Sequence, residues 1–449
     1  MARRLRMLAA AHFPASGDTA PPDGPQNSDF ELSSEQKQAL EACRHAGVLV
    51  LTGGPGTGKT TTLRKMIDLL ERTGARVLLA APTGRAAKRM AEAAGREAKT
   101  IHRLLEPSFA SITAAGSDLA DHRPRMRFGR NADNPIEADV LVVDEVSMVD
   151  LLLMNHLLEA VGPRTRLVLV GDADQLPPVG PGNVLRDIIA SGVVPSVRLT
   201  EVFRQARESM IVVNAHRINQ GEPPILNNAG KDFFFIEEND SGRLSQLIVD
   251  LVGNRLPRHL GCDPVEDIQV LTPVRRSAIG VEAINLALQD ALNPPAPPKP
   301  EISSGGTVFR LGDKVMQVRN DYQKFVFNGD IGRVVNVDPE EQRVSVDYPY
   351  LDVGRQVVYE FHELDELVLS YAVSVHKSQG SEYPVVVIPV GWVMPALMNR
   401  NLLYTAITRA RKMVVLAGSK KALAVYVRNQ PAAQRRSGLS YRLAHVFLP

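Results

Sequence analysis

The sequence predicts an α/β protein of parallel sheets flanked by helices, interrupted by a small all-β module. First, short apolar runs at 48–51, 77–80 and 140–143 are typical of buried parallel strands. Second, a glycine-rich phosphate-binding loop stands between the first run and a helical pattern. Third, short alternating runs separated by turn residues fill 305–363.

Length and composition exclude several classes of protein. The 449 residues predict about two to four domains. With 44% hydrophobic and 23% charged residues, the chain has an ordinary globular composition. A net charge of +2 means that any nucleic-acid contact must come from local patches. The two cysteines have no metal-type spacing, which argues for a reducing compartment. No apolar run approaches the roughly 18 residues of a membrane span, so we expect a cytoplasmic protein with no membrane partner.

The N-terminal segment is expected to be a disordered tail over residues 1–31. Three arginines precede a short apolar run, and a stretch rich in Pro, Gly and Asp follows. A signal peptide has a similar order, but here the apolar core is short and His12 interrupts it. A polar, Pro-rich segment of this kind does not bury enough apolar surface to order itself.

The most specific motif is Gly-Gly-Pro-Gly-Thr-Gly-Lys-Thr at 53–60, which fits the pattern G-x-x-x-x-G-K-[ST] at every fixed position. Backbone N–H groups of such a loop point at phosphate oxygens, and the following helix end adds partial positive charge. Lys59 can reach the β- and γ-phosphates, and the Thr60 hydroxyl can ligate Mg²⁺. A chance glycine-rich turn is the alternative, but the flanking strand and helix argue against it.

The first folded segment begins near Leu32. Ser33 or Ser34 can cap a helix that runs through Leu40. Gln36 lies on this helix, 17 positions before Gly53 (53 − 36). Its amide can read an adenine edge with one donor and one acceptor, although a surface glutamine is equally compatible with the spacing.

After the second strand, a Pro-Thr-Gly turn leads into a basic helix start at 84–89, a geometry suited to gripping a backbone phosphate. A solvated basic helix face is the alternative. His102, taken alone, is more typical of an ordinary surface histidine. Residues 106–137 lack helical period and form an expected insertion, in which 126–130 are half of a small hairpin.

Two further strands end in polar residues. Asp144 and Glu145 follow the apolar run 140–143, where Asp144 would hold Mg²⁺ through water and Glu145 would orient the attacking water. A strand that merely ends in acids is the alternative. Gln175 follows the next strand and can bond both a γ-phosphate and attacking water. Arg204 offers a second positive charge, although a surface arginine is the default interpretation.

The second half of the chain repeats the α/β pattern around the β module. Residues 268–272 start a second sheet, 281–292 form an amphipathic helix, and the Pro-rich segment 293–304 marks a boundary. The module at 305–363 is inserted into the α/β domain. The second sheet then resumes with apolar runs at 369–373, 385–388 and 413–416.

Together these segments resemble superfamily-1 helicases over roughly 32–418. The segments GDADQLPPVG at 171–180, VHKSQGSE at 375–382 and LYTAITRA at 403–410 look most like the RecD-like branch, the 5′-to-3′ group. The β insertion, with GDKVM at 312–316 and NGDIG at 328–332, is similar to that branch as well.

The resemblance implies two RecA-like P-loop lobes with ATP bound between them. The first lobe would cover 32–197, with 106–137 at the position of the family's strand-separating pin. The second would cover 198–304 and 367–449, and an SH3-like β-barrel would occupy 305–366. Closure of the lobes would accompany hydrolysis, and opening would accompany product release.

The resemblance also assigns the nucleotide site, with ATP and Mg²⁺ as cofactors. The nucleotide-binding set would be Gln36, Gly53, Gly54, Pro55, Gly56, Thr57, Gly58, Lys59, Thr60, Thr61, Gly380 and Glu382. Thr60 and Asp144 would hold the metal. The catalytic set would be Lys59, Asp144, Glu145, Gln175, Arg204 and Arg409, with Arg409 as the arginine finger.

Single-stranded DNA would cross both lobes through backbone contacts and stacking. By resemblance, the contacts of the first lobe are Pro82, Thr83, Arg85, Thr100 and His102. Those of the second lobe are Pro273, Arg275, Tyr371, Ser374, His376 and Lys377, with Asn320 and Tyr322 of the barrel. The expected partners are single-stranded DNA, its junctions with duplex, and other DNA-repair or recombination proteins.

Three functions follow for testing. The first is an ATP-dependent 5′-to-3′ DNA helicase. The second is a DNA-stimulated ATPase acting as a non-unwinding translocase or subunit, since RecD-like proteins carry a sizeable region before the first motif and this sequence has few residues there. The third is a non-motor P-loop protein such as a small-molecule kinase, which would not need Arg409, the Lys377 loop or a β insertion.

Overall fold

The computed structural model describes residues 1–11, 13, 32–109, 126–227, 231–321, 323–349, 356–430 and 437–445. The chain forms two compact units. Unit 1 comprises Met1–Ala173, Pro177–Val202 and Gln434–Pro449, and unit 2 comprises Asp174–Leu176 and Phe203–Ala433. In the parts of the chain that the structure covers, no helix is long and apolar enough for a membrane span.

Unit 1 contains a six-stranded parallel sheet with strand order β3-β2-β6-β7-β1-β8. Its strands and those of a short hairpin are β1 Val48–Gly53, β2 Val77–Ala81, β3 Ala98–Thr100, β4 Pro107–Phe109, β5 Met126–Phe128, β6 Val140–Val143, β7 Arg166–Gly171 and β8 Ser196–Leu199. Its helices up to β8 are α1 Ala2–Ala10, α2 Ser34–His45, α3 Lys59–Arg72, α4 Gly84–Ala94, α5 Ile101–Leu104, α6 Leu151–Ala160 and α7 Val184–Ser191.

The sheet of unit 1 is buried on both faces, as continuous apolar strands predict. Because side chains alternate along a strand, Val48 and Val50 pack with α6 and α7 on one face. Leu49 and Leu51 pack with α2, α3 and α4 on the other. This two-sided burial fixes the carboxyl ends of β1 and β6, which carry the phosphate loop and the acidic pair.

Unit 2 contains a five-stranded parallel sheet with strand order β18-β10-β19-β20-β9. Its helices are α8 Arg204–Arg207, α9 Met210–Gln220, α10 Ser241–Asp250, α11 Leu256–Leu260, α12 Val281–Leu292, α13 Arg400–Ile407 and α14 Lys420–Arg428. Its strands are β9 Phe233–Glu237, β10 Ile268–Thr272, β11 Glu301–Ser304, β12 Thr307–Arg310, β13 Lys314–Gln317, β14 Ile331–Asp338, β15 Arg343–Asp347, β16 Gln356–Glu360, β17 Leu367–Leu369, β18 Ala372–Ser374, β19 Tyr383–Val390 and β20 Ala410–Gly418.

The predicted all-β module is an antiparallel sheet of five strands, in the order β16-β15-β14-β13-β17, beside the hairpin β11–β12. Its core includes a hydrogen-bonded chain in which Tyr359 donates to Gln317 over 2.8 Å and the Tyr348 and Tyr359 hydroxyls lie 2.7 Å apart. Asp313 ties the module to the parallel sheet, because it accepts from Gln289 at 2.7 Å and from Tyr371 at 2.8 Å.

The N-terminal segment differs from the expected disordered tail. Residues 2–10 form α1, whose Leu5 and Leu8 are buried in the core of unit 1. Arg4 donates to the carbonyl of Leu158 over 3.0 Å, which fixes the helix against α6. The sequence did not indicate this because the partners of the short apolar face are distant in the chain. The remaining tail, 14–31, lies outside the described residues.

The C-terminal segment also differs from the expected domain boundaries. The helix α15, Leu439–His445, belongs to unit 1 and contacts α1 and α7, whereas the sequence placed 367–449 in the second lobe. Leu439 and Leu443 are buried in the same cluster as Leu5. The predicted hairpin of the 106–137 insertion is confirmed as the pair β4–β5, and residues 110–125 are outside the described part of the chain.

Candidate active site

The phosphate loop has the geometry that its glycines allow. Gly56 and Gly58 adopt positive φ values of 72° and 80°, a region that side-chain-bearing residues rarely occupy. A Cβ on Gly53 would lie 2.7 Å from Thr57 Oγ1, so the first position also requires glycine. Lys59 Nζ donates to the carbonyls of Gly53 and Gly54 at 2.5 and 2.9 Å. The ammonium group therefore lies against the loop, and α3 begins at the same residue.

Gln36 lies beside this loop and makes local hydrogen bonds. Its Oε1 accepts from the backbone of Ser33 at 3.2 Å in a capping box, and its Nε2 donates to Thr62 Oγ1 over 3.0 Å. The side chain is buried. Each end of the amide therefore makes one of the two hydrogen bonds that it can form.

The acidic pair follows β6 in a strained backbone. Glu145 has a φ of 53°, a conformation that is costly for a residue with a side chain and that occurs at functional sites. Its N–H donates to Asp144 Oδ1 over 2.7 Å. The pKa of Asp144 is raised to about 6, chiefly by burial and then by the charge of Glu145, whereas Arg89 and Lys59 act in the opposite direction.

The residue types predicted to hold the metal suit magnesium. Asp144 would contribute a carboxylate and Thr60 a hydroxyl, and hard oxygen donors of this kind are the ligands that Mg²⁺ prefers. A carboxylate whose ionised form is penalised by burial gains most from a nearby divalent cation. Among the residues described, no group of three or more His, Cys, Asp or Glu is arranged to hold an ion by itself. The remaining ligands of Mg²⁺ would be water and phosphate oxygens.

The segment that carries Gln175 belongs to unit 2, although the residues on both sides of it belong to unit 1. The backbone N–H of Leu176 donates to Thr405 Oγ1 at 2.9 Å, and its carbonyl accepts from Gln379 at 2.8 Å. Asn401 donates to the carbonyl of Asp174 over 2.7 Å. Gln175 is therefore held on the helix α13.

Arg409 follows α13 and is buried within unit 2. Its guanidinium donates to the carbonyls of Thr405 and Ser381 at 3.2 and 3.3 Å and to Thr408 Oγ1 at 3.3 Å. Gly380 adopts a φ of 72° in the turn before Glu382. Arg204 begins the short helix α8.

The strand-contact candidates of unit 1 surround the start of α4. Thr83 caps this helix by accepting from the N–H of Ala86 at 3.2 Å, and Arg85 lies in its first turn. Pro82 is partly exposed. His102 packs against the ring of Phe128, with centroids 6.3 Å apart, and burial lowers its pKa.

Some predicted strand contacts are buried instead. Thr100 uses its hydroxyl to cap α5, accepting from the N–H of Arg103 at 3.1 Å. Pro273 is buried at the end of β10, and Tyr371 is buried with its hydroxyl donating to Asp313. Burial also raises the pKa of Tyr371. These three side chains are buried in this structure, and their assignment as DNA contacts stays a prediction. Tyr322 lies outside the described residues.

Other candidates of unit 2 are partly or fully exposed. Lys377 donates to Asn328 Oδ1, and the N–H of Asn328 donates to Asn320 Oδ1 over 2.9 Å, which brings two predicted contacts into one group. Burial lowers the pKa of Lys377. Arg275 is exposed and donates to Glu282 over 2.9 Å. Ser374 and His376, at the start of the turn after β18, are partly exposed.

Sequence reasoning missed Arg89 and Thr405. Arg89 forms an ion pair with Glu145, and Thr405 binds the segment of Gln175. Both residues stand inside motifs that the sequence analysis used, at 84–89 and 403–410. Their membership of those motifs was the available signal, but their partners are 56 and 229 positions away in the chain.

Comparison with known proteins identifies the family. Residues 31–240 match a family described as an AAA domain. Residues 284–348 match the SH3 domain of ATP-dependent RecD-like DNA helicases, and residues 369–417 match the UvrD-like helicase C-terminal domain.

Curated relatives agree with these matches. The chain is 38% identical over 440 residues to an ATP-dependent RecD2 DNA helicase of Deinococcus radiodurans, covering 95% of this chain and 56% of that protein. It is 34% identical over 432 residues to the RecBCD enzyme subunit RecD of Mycobacterium tuberculosis, covering 91% of this chain and 73% of that protein. Among solved structures, Bacteroides Pif1 bound to ssDNA has 20% identity and a TM-score of 0.47, covering 86% of this chain and 92% of that one. This chain belongs to the RecD-like helicase family.

Proposed function

We propose that the chain is an ATP-dependent DNA helicase that moves 5′-to-3′ on single-stranded DNA. The observation that carries this proposal is the phosphate loop with Lys59 facing its carbonyls, in the same unit as Asp144 and Glu145. The chain belongs to the RecD-like helicase family, and this membership supports the use of ATP hydrolysis to do work on DNA. The chain spans only about half of the Deinococcus relative, so the activity of the whole relative is here a proposal.

In this mechanism the phosphate loop would hold the triphosphate, while Thr60 and Asp144 would hold Mg²⁺. When bound, Mg²⁺ neutralises charge on the phosphate oxygens. Glu145 accepts a hydrogen bond from the attacking water and orients it. Arg409 stabilises the charge that develops on the transferring phosphoryl group. Gln175 senses the γ-phosphate, and its attachment to α13 gives it and Arg409 a common support.

Single-stranded DNA is the proposed track. Pro82, Thr83 and Arg85 contact it at the start of α4, and Lys377 with Asn320 contacts it from unit 2. Contacts to the DNA backbone give an affinity that does not depend on base sequence and that falls as the salt concentration rises. The relative named as a RecBCD subunit favours a role beside other DNA-repair or recombination proteins.

A strand-displacement assay tests the function and its direction. The substrates are two duplexes of equal length and sequence, one with a 5′ single-stranded tail and one with a 3′ tail. We expect ATP-dependent displacement from the 5′-tailed substrate. Displacement only from the 3′-tailed substrate would overturn the direction. Hydrolysis that DNA stimulates without any displacement would reduce the activity to that of a translocase or a helicase subunit.

A further inference from the structure

An ion pair joins α4 to the acidic end of β6. Arg89 Nη2 donates to Glu145 Oε1, and the two side chains are 31% and 8% exposed. The pair lies wholly within unit 1. The proposed function assigns Glu145 to the attacking water but gives Arg89 no role.

The ion pair with Arg89 competes with the orientation of the attacking water by Glu145. A carboxylate oxygen that accepts a charge-assisted bond from a guanidinium has less capacity to accept from water, and its charge is partly compensated. While the pair is made, Glu145 is held towards α4.

The first turn of α4, one turn before Arg89, is the proposed DNA contact. Arg85 and Arg89 stand four residues apart on this helix, so their side chains lie on one face with Cβ atoms about 5–6 Å apart. Thr83 caps the same turn. A phosphate bound near Arg85 would place a negative charge within reach of the Arg89 guanidinium, and Arg favours phosphate because of its planar fork.

We propose that Arg89 is a positioning residue that restrains Glu145 until a phosphate of single-stranded DNA, bound at the start of α4, draws its guanidinium away. Strand binding then frees Glu145 to orient the attacking water. The residues that link the bound strand to Glu145 would then all belong to unit 1. This inference rests on the proposed function, because it requires that the chain hydrolyse ATP and bind single strands.

The test is the ATPase of the full chain with and without saturating oligothymidylate, in wild type and in Arg89→Gln. We expect Arg89→Gln to raise the DNA-free kcat by about fivefold or more, the effect of losing a restraint of roughly one kcal/mol. The DNA-saturated kcat should change by less than about twofold, and KM for ATP should stay the same. A merely structural role would instead raise KM or lower both rates together.

Two further variants complete the design. Arg96→Gln is the matched control, since Arg96 is 34% exposed and pairs with Glu71 and Asp68, outside the site. It should keep the wild-type ratio of the two rates. Arg89→Lys keeps the charge but not the fork, and its DNA-free rate should fall between those of wild type and Arg89→Gln. If Arg89→Gln does not fold, the DNA-free and DNA-saturated rates of Arg89→Lys are compared with those of wild type instead.

The outcomes separate this inference from the proposed function. If wild type is stimulated by oligothymidylate but the folded Arg89 variants keep its ratio of rates, or lose both rates equally, the restraint is overturned and the proposed function stands. If wild type itself is not stimulated, the proposed function fails and the restraint fails with it.

Discussion

The backbone amide of Leu176 donates to the hydroxyl of Thr405 over 2.9 Å, and the carbonyl of the same threonine accepts from Arg409 at 3.2 Å. One residue of α13 therefore supports both the segment of Gln175 and the proposed arginine finger. Both bonds are buried, and both lie within unit 2.

We predict that Thr405→Val lowers kcat by about tenfold while KM for ATP changes little. Valine has the same shape but leaves the N–H of Leu176 without its acceptor, which costs about 1–3 kcal/mol. Steady-state kinetics measure kcat and KM, and thermal melting measures the loss of stability. Thr73→Val, which removes a local hydroxyl bond to Leu70 in unit 1, is the control. Unchanged kcat in Thr405→Val would show that this support is not needed for turnover.

Lys59→Ala should abolish ATP turnover while binding of single-stranded DNA partly survives. In the structure the ammonium group bonds only carbonyls of its own loop among the contacts described, so its loss should leave the fold intact. Hydrolysis assays and fluorescence anisotropy with a labelled oligonucleotide check the two expectations. Normal turnover in this variant would remove the assigned nucleotide site.

Arg409→Ala should retain ATP binding and lose kcat by about 10³-fold or more, the usual contribution of an arginine finger. Because Arg409 is buried and bonded to Ser381 and Thr405, part of the loss could come from local unfolding. Arg409→Lys keeps the charge and separates the two causes. A stable Arg409→Lys variant with full kcat would contradict the need for a guanidinium.

Leu5→Ala should destabilise unit 1 by about 2–5 kcal/mol, because it opens a cavity at a fully buried position. Met7, on the same helix, is 54% exposed, so Met7→Ala should change stability by no more than about 0.5 kcal/mol. Urea unfolding, fitted to separate transitions for the two units, measures both. Equal effects of the two substitutions would contradict the packing of α1.

Much of the fold could be predicted because its signals are local. The phosphate loop, the strand before it and the helix after it stand within 48–72, and the helix at 281–292 has the predicted bounds. The β module was also predicted, since alternation and turn residues mark each strand.

What could not be predicted depends on contacts between distant residues. The packing of α1 on α15 joins the two ends of the chain, and no local pattern reports it. Tyr371 was predicted as a DNA contact because its motif resembles one, but its hydroxyl donates a hydrogen bond to the buried Asp313, 58 positions away in the chain. The pair of Arg89 with Glu145 is hidden for the same reason.

The central claim is that this chain couples ATP hydrolysis to a single strand of DNA. The most direct measurement is the steady-state ATPase rate of the unmodified chain with Mg²⁺, in the absence of DNA and with saturating oligothymidylate. The account predicts that the strand raises kcat severalfold or more. Equal rates under the two conditions would contradict it.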